Sequence, residues 1–213
     1  MNISELRREY TRDGLKREHL RTNPFEQFKL WIEEACSAEL MEPNAMSLAT
    51  VDKNGRPSVR TVLLKHFDER GFVFYTNYQS AKAAHIVDNP RVAVVFPWLD
   101  LERQVLISGT AVKVPTPESL KYFEARPLGS RIGAWASPQS RVIASRKMLE
   151  MEFAAMKRKF ADGKVPQPPF WGGYRVVPGA FEFWQGRINR LHDRFRYQKL
   201  EEGCLWRIER LAP

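Results

Sequence analysis

The chain has 213 residues, of which 43% are hydrophobic and 28% are charged, and these values are ordinary for a globular protein. They exclude a wholly disordered chain, a collagen-like chain and a coiled-coil rod, and no apolar run approaches the roughly 20 residues that span a bilayer. Lys and Arg outnumber Asp and Glu by 34 to 25, a net charge of +9. This charge indicates either a solvated basic surface or an anionic partner, such as nucleic acid, acidic lipid or a phosphorylated small molecule.

The N-terminal segment is polar and lacks the apolar middle of a signal peptide. It predicts an arm over residues 1–22 that docks on a single domain over residues 23–213. Cys36 and Cys204 are far apart and show no CxxC spacing, so neither a disulfide framework nor a zinc site is expected. A reduced, cytoplasmic protein is the corresponding expectation.

Helix and strand signals follow in chain order. Asn23, Pro24 and Glu26 form a helix start, with an N-cap, a first-turn proline and an acidic side chain near the N-terminus. Short apolar runs bounded by turn residues then predict strands at 46–51, 59–67, 72–76, 92–98, 104–114, 180–185, 193–198 and 205–210. Further helices are predicted at 80–87, 116–126 and 140–160, with a loop at 162–173.

About eight strands with few intervening helices predict a mainly β, α+β fold. Short strands in hairpin succession favour a closed antiparallel barrel, which removes sheet edges. A doubly wound parallel sheet is disfavoured because successive strands mostly lack crossover helices.

Familiar catalytic motifs are absent from the sequence. It contains no GxGxxG, GxxxxGK[ST], GxSxG or HExxH, and its four histidines show no metal-ligand spacing. The remaining candidates are clusters of cations and hydroxyl groups.

The first cluster lies on the strand that contains Arg60 and Lys65. Strand alternation places these two side chains on opposite faces. An inward lysine in a barrel is costly unless it meets an anion, and the alternative is a lysine that snorkels at the rim.

The second cluster lies where a strand turns into a helix, at Thr76, Ser80 and Lys82. Free backbone N–H groups at this helix start could bind a phosphate together with these side chains. The alternative is ordinary N-capping by Ser80.

The third cluster contains Tyr122 and Arg126, four residues apart on one predicted helix, with Ser130 beyond the helix end. A tyrosine and an arginine on one face, with a nearby hydroxyl, suit an oxyanion such as a phosphate monoester. The alternative is a surface Tyr–Arg stack.

The fourth cluster is Arg190, His192 and Arg194, which share one face of a predicted strand. Three cationic or titratable groups in a row would repel one another without an anion between them, and Trp184 could supply an aromatic wall. Together the four clusters favour two phosphorylated ligands over one.

Longer stretches then carry a family resemblance. They are RTVLLKHFD, VFYTN, NPRVAVVFPW, LERQV, YFEARPLGSRIGAWAS, PPFWGGYRV, EFWQG and RLHDRFRY. They occur in order between about Leu6 and Pro213 and closely resemble the pyridoxine (pyridoxamine) 5′-phosphate oxidase family.

The resemblance implies an FMN-binding split β-barrel that works as a homodimer with FMN at the subunit interface, and no nucleic-acid or membrane partner. It implies oxidation of pyridoxine 5′-phosphate or pyridoxamine 5′-phosphate to pyridoxal 5′-phosphate, within vitamin B6 metabolism. Molecular oxygen would accept the electrons and give hydrogen peroxide, with ammonia released from the amine.

Matching motif positions imply two sets of site residues. The implied FMN contacts are Arg60, Thr61, Val62, Leu63, Leu64, Lys65, Tyr75, Thr76, Ala81, Lys82, Gln104, Gln139, Ser140, Trp184 and Arg194. The implied substrate contacts are Arg7, Arg8, Glu9, Tyr10, Lys65, Tyr122, Arg126, Ser130, Arg190, Leu191 and His192.

Arg190 and His192 are the expected catalytic residues: Arg190 would hold the substrate over the flavin and His192 would orient it or tune its protonation. Residues 7–10 would form a segment that closes over the substrate. Ala81 departs from the family, which usually carries a second cation there, and this departure bears on the strength of FMN phosphate binding.

Three alternatives stay open from the sequence. Another split-barrel flavoprotein would keep the FMN contacts but act on a different substrate. A basic nucleic-acid-binding barrel would account for the charge and for exposed aromatic residues. A pyridoxal phosphate carrier would bind the product without turnover.

Overall fold

The structure is a computed structural model that describes residues 1, 3, 5, 9–200 and 205–213. The described residues form nine strands and five α-helices. The strands are β1 (Ala45–Val51), β2 (Pro57–Leu63), β3 (His66–Asp68), β4 (Gly71–Asn77), β5 (Arg91–Trp98), β6 (Arg103–Lys113), β7 (Trp171–Gln185), β8 (Asp193–Lys199) and β9 (Trp206–Leu211). The helices are α1 (Pro24–Ser37), α2 (Ala81–Asp88), α3 (Thr116–Ala125), α4 (Leu128–Ala136) and α5 (Arg146–Lys159).

Strand β7 organises the sheet. Along one edge it pairs with β6, and its other edge is shared, because β4 pairs with residues 171–176 and β8 with residues 180–185. The strand order is β2-β1-β5-β6-β7-β4-β3, with β8 paired to β7 and β9 to β8. Every ladder is antiparallel, which confirms the mainly antiparallel α+β prediction.

The curled sheet is a split barrel, and the split lies at the end of β2. The sequence predicted one strand over 59–67, but the strand is interrupted at Leu64 and Lys65. Their N–H groups donate to Asn44 O and Val73 O respectively, so β2 pairs with β1 whereas β3 pairs with β4. No ladder joins β2 to β3 in the described part of the chain. The split barrel is therefore confirmed, and the closed barrel predicted from hairpin succession is wrong.

Helix α1 packs aromatic side chains against the barrel. It begins where the sequence predicted, with Asn23 Oδ1 accepting a hydrogen bond from Phe25 N at 2.9 Å. Phe28 and Trp31 are buried, and the Phe28 ring lies 4.8 Å from the ring of Phe72. Burial of each such ring stabilises the folded state by about 1.5–3 kcal/mol. The helical spacing of apolar residues in the sequence therefore identified the face of α1 that packs in the core.

A smaller apolar cluster lies under α3, α4 and α5. Its buried members are Phe123, Ile132, Phe160, Val165 and Trp171. Because Trp171 is the first residue of β7, this cluster fixes the three helices beside the edge where β7 pairs with β4.

Two helix predictions need correction. Helix α4 was not predicted, because Gly129 and Gly133 lower its intrinsic helix propensity. Helix α5 begins at Arg146 rather than at residue 140, since Ser140 has a φ of 71°, which a right-handed helix excludes. Ser145 instead caps the helix by accepting a hydrogen bond from its first turn.

The described part of the N-terminal arm lies against the barrel. The N–H groups of Thr11 and Arg12 donate to the carboxylate of Glu102 at 3.1 and 3.2 Å, and Leu15 N donates to Asp193 Oδ2 at 3.0 Å. Leu15 also belongs to the main core cluster, which the sparse apolar pattern of the arm did not predict. Nowhere in the described ranges is a helix long and apolar enough to cross a membrane.

Candidate functional site

A cavity of about 860 Å³ opens beside β2, β4 and helices α2 to α4. Most of the residues of the first three clusters and of the implied FMN contacts line it. They are Arg60, Thr61, Val62, Leu63, Lys65, Tyr75, Thr76, Ala81, Lys82, Tyr122, Arg126, Ser130, Gln139 and Ser140. The structure therefore brings together residues that are up to 80 positions apart in the chain.

Arg60 and Lys65 both line the cavity, although strand alternation predicted opposite faces. The prediction is wrong because β2 ends at Leu63, so the alternation does not continue to Lys65. Leu64, a predicted FMN contact, is buried in the main core cluster instead.

One polar group in the cavity surrounds Lys82. Its Nζ donates to Thr76 Oγ1 at 3.2 Å, to Gln139 Oε1 at 3.3 Å and to Ser80 Oγ at 3.4 Å. Burial lowers the pKa of Lys82, and the positive charge of Arg60 lowers it further. In the described ranges neither cation has a carboxylate partner, so both retain charge that an anion could neutralise.

The N-terminus of α2 adds backbone donors to this group. The N–H groups of Ala81 and Lys82 have no acceptor among the described residues, whereas Ala83 N donates to Ser80 O at 3.0 Å. Ser80 occupies the N-cap position without a side-chain capping bond, so the simple capping alternative is not supported. Ala81 is exposed and adds no charge. Free N–H groups at a helix start beside two cations favour a phosphate.

A second group in the cavity surrounds Arg126. The guanidinium carbon lies 4.7 Å from the ring centre of Trp171, and burial lowers the pKa of Arg126. Arg126 Nη1 is buried and has no hydrogen-bond partner among the described residues. A buried, unpaired donor of this kind costs stability unless a ligand satisfies it, so this group also favours an oxyanion.

Tyr122 and Arg126 do not share a helix as predicted. Helix α3 ends at Ala125, and Arg126 is extended with φ −74° and ψ 147°. Tyr122 stacks on Tyr75 with ring centres 4.0 Å apart, while Arg126 stacks on Trp171, so the Tyr–Arg stack alternative is wrong. Burial raises the pKa of Tyr75 to about 12 and also raises that of Tyr122, so both phenols keep their protons at neutral pH.

Five of the remaining predicted residues form a second group, which we call the Trp184 cluster: Gln104, Trp184, Arg190, His192 and Arg194. Gln104 and Arg194 are the cross-strand neighbours of Trp184 on β6 and β8. The His192 ring lies 4.7 Å from the Trp184 ring. Tyr10 of the arm contacts both aromatic rings edge-on, at 5.7 Å from Trp184 and 5.5 Å from His192.

The predicted strand face of Arg190, His192 and Arg194 is wrong. Strand β8 begins only at Asp193, and Arg190 lies in a short turn with a φ of 60°. Arg194 is held in an ion pair by Glu182 at 2.7 and 3.0 Å. His192 accepts a backbone hydrogen bond at Nδ1, and burial, assisted by Arg190, lowers its pKa, so the neutral ring persists at neutral pH.

Four further predicted contact residues either lie outside the described residues or are exposed to solvent. Arg7 and Arg8 lie outside the described residues, and Glu9 is exposed. Leu191 is exposed beside His192, where both residues line a smaller cavity of about 370 Å³.

The cavity and the Trp184 cluster lie at opposite ends of β7. Trp171 lines the cavity and Trp184 lies thirteen residues further along the same strand. At about 3.3 Å per residue, these positions are up to roughly 40 Å apart. None of the residues of the Trp184 cluster lines the cavity of the same chain, so the two sites are separate within one chain.

Several cavity residues were missed by sequence reasoning. They are Asn77, Gly133, Ala134, Ser137 and Trp171. Trp171 was quoted within PPFWGGYRV but given no role, because nothing local to that stretch shows that α3 folds over it.

In the described part of the chain, an antiparallel split barrel carries one cavity with free helix N–H groups and with cations that have no carboxylate partner. This arrangement is typical of the class of proteins that bind phosphorylated small molecules. Two family models match the chain. One is described as pyridoxamine 5′-phosphate oxidase and covers residues 32–160; the other is described as the pyridoxine 5′-phosphate oxidase C-terminal dimerisation region and covers residues 171–213. The chain belongs to the pyridoxamine 5′-phosphate oxidase family.

Individual relatives agree with this assignment. The pyridoxine/pyridoxamine 5′-phosphate oxidase of Crocosphaera subtropica is 62% identical over 214 residues, with 100% of both chains covered. That of Rippkaea orientalis is 60% identical over 213 residues, again with 100% of both chains covered.

Solved structures share the fold. PhzG from Burkholderia lata, in complex with tetrahydrophenazine-1-carboxylic acid, has a TM-score of 0.87 at 30% identity and covers 94% of this chain and 98% of its own. A pyridoxamine 5′-phosphate oxidase-related, FMN-binding protein from Nostoc punctiforme has a TM-score of 0.71 at 18% identity, with 91% and 100% covered. The second likeness concerns the fold alone.

Proposed function

We propose that this chain is an FMN-dependent oxidase that converts pyridoxine 5′-phosphate or pyridoxamine 5′-phosphate to pyridoxal 5′-phosphate. The observation that carries the proposal is the cavity, in which two separate groups of cations lack carboxylate partners in the described part of the chain. Two such groups suit two phosphates, one from a cofactor and one from a substrate. The chain is 60–62% identical to named oxidases. This identity supports the oxidase activity and disfavours the alternative of a basic nucleic-acid-binding barrel.

The group around Lys82 is the proposed holder of the FMN phosphate. Lys82, Arg60 and the first-turn N–H groups of α2 supply positive charge and donors, and the hydroxyl of Thr76 lies within their network. These donors fit a phosphate monoester, which presents several acceptor oxygens. When bound, FMN supplies the two-electron acceptor for the oxidation, with O₂ as the final acceptor.

The group around Arg126 is the proposed holder of the substrate phosphate. The unpaired Nη1 of Arg126 and the protonated phenol of Tyr122 are donors, and Lys65 and Ser130 line the same cavity. A charge-assisted hydrogen bond to phosphate contributes about 1.5–3 kcal/mol. These residues would therefore select phosphorylated over free forms of vitamin B6.

The Trp184 cluster is proposed to complete the site from the other subunit of a homodimer. No residue of the cluster lines the cavity of the same chain, and a two-fold axis would bring the cavity of one copy to the cluster of the other. The match of residues 171–213 to a dimerisation region supports this arrangement. Arg190 and His192 would then contact the substrate ring, and Gln104, Trp184 and Arg194 the FMN.

The N-terminal arm, residues 1–22, is proposed to act as a lid on the domain formed by residues 23–213. Tyr10 already rests on Trp184 and His192, and residues 7–10 would continue over the substrate. Covering the site would exclude water during the oxidation. The positions of Arg7 and Arg8 in this lid are part of the proposal.

Reconstitution of the purified protein with FMN tests the function. We expect visible flavin absorption that remains after gel filtration, and oxygen-dependent formation of pyridoxal 5′-phosphate and hydrogen peroxide from pyridoxine 5′-phosphate. Flavin binding without oxidation of either phosphorylated substrate would indicate a split-barrel flavoprotein with another substrate. Binding of pyridoxal 5′-phosphate without flavin binding or turnover would indicate a carrier.

A further inference from the structure

Arg175 of β7 is a buried cation that forms ion pairs with two acidic side chains. Its side chain is 7% exposed. Nη1 donates to Asp68 Oδ1 at 2.9 Å, and Nη2 donates to Glu118 Oε1 at 2.8 Å. Each end of one rigid guanidinium is thus bonded to a different element, with β3 on one side and α3 on the other.

Both partner elements lead directly into the cavity. Lys65 lies three residues before Asp68, at the interruption that precedes β3. Tyr122 lies one helical turn after Glu118 on α3, and Arg126 follows at the end of that helix. The two ion pairs of Arg175 therefore connect the segments that carry the three residues of the proposed substrate-phosphate site.

Electrostatic attraction for a phosphate does not explain this arrangement. Two carboxylates near an anion-binding cavity oppose anion binding, and the charge of Glu118 reaches the cavity wall. After burial, that charge is the largest cause that raises the pKa of Tyr75, while Arg175 acts in the opposite direction. Stability is also a weak explanation, because a buried ion pair is often no better than well-packed apolar residues. A geometric role remains.

We propose that Arg175 is a positioning residue for the substrate phosphate. Its guanidinium bridges Asp68 and Glu118, and so holds β3 and α3 at the spacing at which Lys65, Tyr122 and Arg126 face the same ligand. The inference rests on the proposed function, since it assigns the phosphate of the substrate to this group.

Glu118→Ala distinguishes a geometric role of the ion pairs from an electrostatic one, because the two roles predict changes in KM of opposite sign. Loss of the bridge should raise KM for pyridoxine 5′-phosphate by roughly tenfold, which corresponds to about 1.4 kcal/mol of lost binding, with kcat nearly unchanged. Removal of a negative charge alone should lower KM for an anionic substrate. Glu124→Ala is the matched control, since Glu124 is exposed on the same helix and forms no ion pair within the described ranges.

Arg175→Lys supplies the second test. Lysine keeps the charge but lacks the planar fork that bonds two carboxylates at once, so we expect KM to stay raised. Restoration of the parent KM by lysine would contradict the bridging role, as would an unchanged or lower KM in Glu118→Ala. An equal loss of kcat/KM on unphosphorylated pyridoxine would also overturn it, because the phosphate site would then not be the part affected.

Two readouts keep this inference distinct from the proposed function and from misfolding. FMN affinity of the variant apoproteins should equal that of the parent, since the Lys82 group is held by other contacts. Titration with pyridoxal 5′-phosphate, followed by tryptophan fluorescence, should show the same roughly tenfold weakening of binding. Failure of the parent to oxidise any substrate would contradict the proposed function, whereas equal affinities of parent and Glu118→Ala in this titration would contradict the role of Arg175.

Discussion

At the scale of single residues, the cations of this chain divide into paired and unpaired groups. Arg175 and Arg194 are held by carboxylates through two hydrogen bonds each. Arg60, Lys82 and Arg126 line the cavity and have no such partner in the described part of the chain. Leaving a half-buried cation unpaired is costly, and a bound phosphate would remove that cost, so the unpaired residues support the proposed ligand site.

Arg126→Ala should weaken binding of the phosphorylated substrate specifically. Loss of a charge-assisted hydrogen bond to phosphate of about 1.5–3 kcal/mol should raise KM by roughly 10- to 150-fold. Activity on unphosphorylated pyridoxine should change little, because that substrate never made the contact. Arg146→Ala is the control, since Arg146 is exposed on α5, outside the cavity lining, and forms an ion pair with Glu150. Equal losses on both substrates would reassign Arg126 to a structural role.

Protonation of His192 should lower kcat/KM at acid pH. Its Nδ1 accepts the N–H of Arg187 at 3.1 Å, which requires the neutral ring, and its pKa lies below the usual 6.5. The bond is therefore present at neutral pH and is lost as the pH falls through the lowered pKa. We expect kcat/KM to be flat above neutrality and to fall below about pH 6.5. A pH profile of His192→Asn should lack this fall, and its persistence would show that another group titrates.

At the scale of elements, sequence pattern predicted segments whose local signals agree with the fold. The cap at Asn23 and the hairpins around β4 to β6 are examples. Strand β7 was predicted only from residue 180, because Gly172, Gly173 and Pro178 look like a loop. The sheet explains them: Pro178 stands where the partner of β7 changes from β4 to β8, so its missing N–H is tolerated there. Strand pairing of this kind depends on residues distant in sequence.

The arm is held by a latch at Glu102, whose carboxylate accepts the N–H groups of Thr11 and Arg12. Glu102→Ala should free this part of the arm, since hydrogen bonds to a charged group contribute about 1.5–3 kcal/mol. We expect faster amide exchange at both positions and a higher substrate KM. Asp13→Ala is the control, because Asp13 is an exposed acid of the arm. Unchanged exchange in Glu102→Ala would contradict the latch.

At the scale of the whole molecule, the site residues were predictable from the family resemblance. Their division within one chain between the cavity and the Trp184 cluster was not. The resemblance assigned Arg190 and His192 to the same substrate site as Arg126, and Trp184 to the FMN contacts. Within one chain, no residue of the Trp184 cluster lines the cavity, and no local pattern in the sequence reports that separation. Each proposed site therefore uses residues from two copies of the chain.

Subunit complementation between Arg126→Ala and Arg190→Met tests this claim most directly. Each variant alone should have low activity at substrate concentrations below the parent KM. After the two variants are mixed, unfolded and refolded together, roughly half of the dimers should be mixed, and each should hold one intact site, which restores roughly a quarter of parent activity. Activity of the mixture equal to the average of the two separate variants would contradict a site shared between subunits.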